Sequence, residues 1–155
     1  MRKLFLILLL SSYSGMLQAA VGHFLFISGS VKVISKTGQS RAAMRGGEVD
    51  VGDTISTGQA STAQIKMVDG GFLAVRPQSE LRVDSYSFHG NKSDNSTVSL
   101  VKGGFRAITG MIGKNNPQND IAKTPTATIG IRGTDYEAVY VTSPAAGKGE
   151  NHEKN

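Results

Sequence analysis

Apolar residues in this chain come in short runs cut by glycine and small polar residues, and inside most runs the spacing is two. Gln64-Ile65-Lys66-Met67-Val68 alternates, so Ile65 and Met67 share one face while Lys66 stays in water. Asp69-Gly70 then supplies a turn, and Phe72-Leu73-Ala74-Val75 reads as the returning strand. Phe24-Leu25-Phe26-Ile27 and Val31-Lys32-Val33-Ile34, separated by Ser28-Gly29-Ser30, predict a second hairpin. Val51-Gly52-Asp53-Thr54-Ile55-Ser56-Thr57-Gly58 is another glycine-bounded stretch. Arg76-Pro77-Gln78-Ser79 interrupts the pattern before Leu81, Val83, Tyr86 and Phe88 resume it. The polar tract at residues 89–97, with Gly90, Asn91, Asp94 and Asn95, predicts an exposed loop.

Val98-Ser99-Leu100-Val101 opens a strand that runs through Gly103-Gly104 toward Thr109. Residues 115–120 form a turn cluster and Thr124-Pro125-Thr126 a further break, after which residues 128–134 and 136–141 close the sheet. Outside the leader no stretch sustains helical spacing. About ten short strands therefore predict an all-β single domain, sandwich-like or a coiled roll of strands. Period two fixes which side chains face inward and leaves open which strands are neighbours.

The first twenty residues follow a different rule. Met1-Arg2-Lys3 is a basic head, residues 4–10 are continuously apolar, and Leu17-Gln18-Ala19-Ala20 ends in small residues. This is the pattern of a secretory signal peptide, with an apolar run too short for the roughly twenty residues a membrane span needs. The expected organisation is a signal peptide at 1–20, a β domain at 21–142 and a disordered tail at 143–155, with the mature protein in the periplasm. Loss of Arg2 and Lys3 lowers the formal charge from +5 to +3, which is too mild for a nucleic-acid surface. Nineteen glycines against four prolines fit a turn-rich β chain, and the lack of cysteine removes disulfides, thiolate metal sites and a thiol nucleophile.

Little else offers chemistry. Gly110-Met111-Ile112-Gly113-Lys114 lacks the first glycine of a phosphate loop, where Ile108 stands, and the hydroxyl after the lysine, where Asn115 stands. His23, His89 and His152 are dispersed over strand, loop and tail. Asp53, Asp69, Asp84, Asp94 and Asp120 sit mostly beside Gly or Asn, where a carboxylate caps a turn. No catalytic, metal or cofactor site is expected, and the chain reads as a non-enzyme. Asn91-Lys92-Ser93 and Asn95-Ser96-Thr97 match the glycosylation pattern, which a leader of bacterial appearance makes irrelevant. Arg106 and Arg132 stand out because each lies in an apolar, glycine-bracketed run. A buried guanidinium there must find a carboxylate such as Asp53, Asp135 or Glu137, as a structural staple, or meet an acidic partner. Tyr136, with Tyr86 and Tyr140, is either an interaction surface or half-buried strand packing.

The order of the motifs resembles the FecR domain. The pieces are Gly29-Ser30-Val31, Gly52-Asp53-Thr54-Ile55-Ser56-Thr57-Gly58 with Ser61, and Val68-Asp69-Gly70-Gly71 followed by Val75-Arg76-Pro77-Gln78-Ser79-Glu80-Leu81. Later come Leu100-Val101-Lys102-Gly103-Gly104-Phe105-Arg106 and Ile129-Gly130-Ile131-Arg132-Gly133-Thr134. The family's best-known member is a regulator that looks outward at an iron-siderophore receptor and controls a sigma factor inside. Here a leader stands where that regulator has a cytoplasmic segment and membrane helix. The resemblance implies a periplasmic signalling or accessory module that binds an envelope protein, such as a receptor or a signalling protein of either membrane. The alternative is a binder of envelope glycan or a small anionic ligand through Arg106 or Arg132.

Overall fold

The computed structural model describes residues 19–141. The expected tail at 143–155 and all but the last two residues of the expected leader lie outside the described residues. Twelve strands are present among them: β1 (Gly22–Ser28), β2 (Val31–Ile34), β3 (Ser40–Ala42), β4 (Glu48–Val49), β5 (Thr54–Thr57), β6 (Thr62–Met67), β7 (Phe72–Val75), β8 (Glu80–Ser87), β9 (Asn95–Ile108), β10 (Asp120–Lys123), β11 (Thr128–Gly130) and β12 (Asp135–Tyr140). A five-residue helix α1 (Met111–Asn115) and a 3-10 helix (Pro117–Asn119) lie between β9 and β10. The all-β single domain is as the pattern predicts.

The strands make one sheet curled over one core, and it divides into two arms that share β9. Residues 95–102 of β9 pair with β8 and β10, whereas residues 103–108 pair with β7 and β12. One arm runs β4-β1-β6-β7-β9-β12 and the other β3-β2-β5-β8-β9-β10-β11. Period-two alternation aims Phe24, Ile65, Val75 and Phe105 inward from the first and Val33, Ile55, Leu81 and Leu100 from the second, all buried in one cluster. Each such side chain stabilises the fold by about 1.5–3 kcal/mol through burial.

Four of the places where the chain crosses between the arms, at residues 28–30, 58–61, 76–79 and 102–104, lie side by side. Each of these four crossings holds one residue with left-handed backbone: Gly29 (φ +74°), Ala60 (φ +54°), Gln78 (φ +53°) and Gly103 (φ +80°). The crossings are stitched side by side. Gly58 N–H donates to Ser30 O (2.9 Å), Gln78 N–H to Gly58 O (3.1 Å) and Arg76 N–H to Gly104 O (3.0 Å). Buried hydroxyls complete the seam: Ser30 N–H donates to Ser61 Oγ (2.9 Å), Ser79 N–H to Thr57 Oγ1 (3.0 Å) and Gly104 N–H to Ser79 Oγ (2.8 Å). A strand that turns out of one arm leaves ladder groups unpaired, and buried polar groups must be satisfied. That requirement accounts for Gly, Ser and Thr at these places.

Three local expectations need correction. The hairpin between residues 24–27 and 31–34 does not form, because β1 pairs with β4 and β6 while β2 pairs with β3 and β5. Gly29 is a crossing, not a hairpin turn. The polar tract at 89–97 is not wholly an exposed loop: β9 begins at Asn95, and buried Asp94 accepts the N–H groups of His89, Gly90 and Asn91 at 2.8–2.9 Å. Residues 111–115, where no helix is expected, form α1, too short to show helical periodicity, and the turn cluster at 115–120 holds the 3-10 helix. The hairpin of β6 and β7 around Asp69-Gly70 forms as predicted.

Candidate functional site

Strand β12 ends its arm, since among the described residues it pairs with β9 alone. The register sets Asp135 against Ile108, Glu137 against Arg106 and Val139 against Gly104. Thr109 N–H donates to Thr134 O at 2.9 Å, and hydrogen-bonded pairs alternate in an antiparallel ladder. The bonded pairs are therefore Ala107 with Tyr136, Phe105 with Ala138 and Gly103 with Tyr140. It follows that the N–H and C=O groups of Asp135, Glu137 and Val139 point away from β9, to the free side. Val139 and Val141 are 55% and 75% exposed on this strand and its continuation. Within Asp135–Tyr140 the edge has no proline, lysine or bulge, and the charges of Asp135 and Glu137 are engaged by Arg106 and Arg76.

Arg106 lies on the outer face of β9 and donates through Nε to Asp135 Oδ1 (2.9 Å), with a second bond from Nη2 to Asp135 Oδ2. This hydrogen-bonded pairing raises the guanidinium and holds the Asp135 carboxyl below its usual range. The staple to Asp135 is one of those the sequence names, but the side chain is 58% exposed, not buried, because it sits on the outer face. Glu137 takes Arg76 instead (2.6 Å), and Asp53 takes Arg41 (3.1 Å). Tyr136 faces inward and meets Phe105 edge-on, with ring centroids 5.8 Å apart. Burial, and then the charge of Asp120, raises its phenol. Tyr86 and Tyr140 likewise pack against the core.

The structure brings Arg106 and Tyr136 together on neighbouring strands, on opposite faces, and leaves Arg132 apart. Arg132 follows β11 in an exposed segment, outside any strand, and lines an open cleft of about 450 Å³ with Pro117, Gln118, Gly130 and Ile131. Among the described residues no carboxylate lies within ion-pair distance of it.

A polar cluster that sequence reasoning took only for turn caps lies between the arms. Asp69 Oδ1 accepts Gly71 N–H and Oδ2 accepts Ile112 N–H, both at 3.1 Å, while Asp69 N–H donates to the Tyr86 hydroxyl (3.1 Å). Asp120 is 7% exposed, and burial raises its carboxyl to about 6, with Ser96 hydrogen bonding opposing and Asp69 adding to the rise. Asp69 and Asp120 are 51 positions apart in the chain, so no local signal joins them.

A family model described as FecR protein matches residues 53–147, more than half of the chain. The chain belongs to the FecR family. In this FecR domain the match begins at Asp53, after β1 to β4, and takes in three of the four stitched crossings and the whole of β12. The family is signalling-related, non-enzymatic and envelope-associated. The domain is also similar to a solved structure described as a cell surface anchoring domain, at 32% identity, covering 40% of this chain and 82% of that one with a TM-score of 0.39. Comparison with curated proteins finds no match. No helix among the described residues is long and apolar enough to cross a membrane.

Proposed function

We propose that this FecR domain is a non-enzymatic periplasmic module, exported by its first twenty residues, that binds an envelope protein as a signalling or accessory subunit. The observation that carries the reading is the free side of β12, which pairs with β9 alone among the described residues. Three residues there, Asp135, Glu137 and Val139, offer both backbone groups in the spacing a further strand accepts. Ion pairs across the outer face from Arg106 and Arg76 hold β12 in place, so the edge is preformed.

The experiment uses a proline as a selective block. Val139→Pro removes one N–H on the free side and none of the bonds to β9, as a proline on an edge strand does. Capture from envelope extract recovers a specific protein with the wild type and loses it with Val139→Pro, while the urea midpoint stays close to wild type. No specific capture by the wild type, or equal capture by both, overturns the reading. N-terminal sequencing of the exported protein tests cleavage after Ala19 or Ala20.

A second reading, a binder of anionic envelope glycan, is favoured by Arg132 beside its cleft, which has no carboxylate within ion-pair distance among the described residues. Co-sedimentation with purified peptidoglycan that Arg132→Ala abolishes supports it, and unchanged sedimentation removes it. Since Arg132 is exposed and pairs with no carboxylate among the described residues, the variant folds normally.

A further inference from the structure

The cluster between the arms lines a part-open cavity of about 30 Å³, room for one or two water molecules, walled in part by Asp69, Asp120, Tyr86, Tyr136, Ser96 and Thr109. Thr109 Oγ1 is buried there and meets no hydrogen-bond partner. Leaving a buried hydroxyl without a partner is costly, and a neighbouring polar group or a bridging water relieves that cost. The groups that bear on Asp120 come from four directions: Asp69 from the turn after β6, Ser96 from β9, and the two phenols from β8 and β12. None of them is a cation.

The same residue ties down the segment that closes the cavity. Asp120 N–H donates to Pro117 O, and Asp120 O accepts Ile131 N–H at 2.9 Å. Helix α1 lies directly on the acid: a Cβ at Gly113 would stand 2.5 Å from Asp120 Oδ2 and 2.3 Å from Thr109 Cγ2. Asp69 holds the start of that helix, its backbone oxygen accepting Met111 N–H at 3.0 Å.

We propose that the Asp120 carboxyl is a proton-operated latch for residues 110–123, closed while neutral and loosened when it ionises. A neutral carboxyl both donates and accepts, so it bonds Thr109 Oγ1, directly or through a water in the cavity, without placing a charge there. An ionised one sets a second negative charge beside Asp69 with no cation to offset it, and draws water under α1. The latch does not depend on the strand-addition reading.

Hydrogen exchange on the full chain tests it. The folded carboxyl titrates near 6 and a released one near 3.8, so the opening constant of amides in 111–123 rises roughly tenfold between about pH 5 and pH 7, after correction for intrinsic exchange. Amides of β2 and β5 report opening of the whole fold, which carries the same proton linkage, so the comparison is of opening constants, which are larger in 111–123 than in those strands at either pH. Asp120→Asn keeps the low-pH protection at pH 7 and shows no such rise. The same rise in Asp120→Asn, or opening constants in 111–123 no larger than those of β2 and β5, overturns the latch. If the variant does not fold, the carboxyl carbon of wild-type Asp120 decides by NMR: a midpoint near 6 supports the latch and one near 3.8 overturns it.

Discussion

Gly103 is the position where β9 passes from one arm to the other, and Gly103→Ala tests whether the stitched crossings hold the fold. The added Cβ would stand 2.2 Å from Ser79 Oγ and 2.7 Å from both Gln78 O and Ser79 Cα, so backbone has to move. Left-handed backbone at φ +80° costs an alanine about 1–2 kcal/mol. Overpacking adds about 1–3 kcal/mol, and displacing Ser79 breaks its bond to Gly104 N–H for about 1 kcal/mol more. The expected loss is about 3–6 kcal/mol, a large part of a typical domain's stability of about 5–15 kcal/mol. Gly38 and Gly90 provide the control, because both have positive φ (+85° and +77°) and nothing within 4 Å of a built Cβ. Alanine there carries the backbone cost alone. Urea unfolding of the three variants, with a common slope, separates backbone strain from contact with the neighbouring crossing. A Gly103→Ala loss no larger than that of Gly90→Ala refutes the role given to the seam.

Other consequences follow from the same geometry. Ala60→Gly relieves a left-handed alanine in the second crossing and raises stability by about 0.5–1 kcal/mol, read as a higher urea midpoint. Ser79→Ala strands the buried N–H of Gly104 and lowers stability by about 1–3 kcal/mol, while m stays constant if the fold is unchanged. The pH profile of stability peaks on the acid side of neutral. Burial, and at Asp50 also Asp53, raises the carboxyls of Asp50 and Asp120, so the folded chain holds protons more tightly than the unfolded one and stability falls as pH climbs from about 4 through about 6. Asp135, held low by Arg106, acts oppositely, and its contribution is lost only as pH falls below 3.8. Urea midpoints that increase steadily from about pH 4.5 to pH 7 contradict this assignment.

Much of the fold was legible because alternation is a local property. Ile65 and Met67 facing inward, the turn at Asp69-Gly70 and the return through Phe72 and Val75 follow from neighbours in the chain. Gly29 shows the limit. Glycine between two apolar runs serves a hairpin turn or a crossing equally well, and only the neighbours of β1 and β2 distinguish them. At the candidate site the pairing of Arg106 with Asp135 was among those named, yet the same apolar, glycine-bracketed run misled about burial. Residues 105–107 alternate, so the arginine between inward Phe105 and Ala107 points out. The Asp69–Asp120 cluster was not legible as a cluster, since each acid alone reads as a turn cap.

From sequence alone came an all-β domain of short strands, the family resemblance and the residues that turn the chain, because backbone angle, side-chain alternation and turn chemistry act over a few residues. Tertiary structure alone decided that β9 serves both arms, that β12 is left as an edge, and that two distant acids share one cavity. Those outcomes depend on which strands exchange hydrogen bonds, an energy that joins segments far apart in the chain and leaves almost no mark on either segment taken singly.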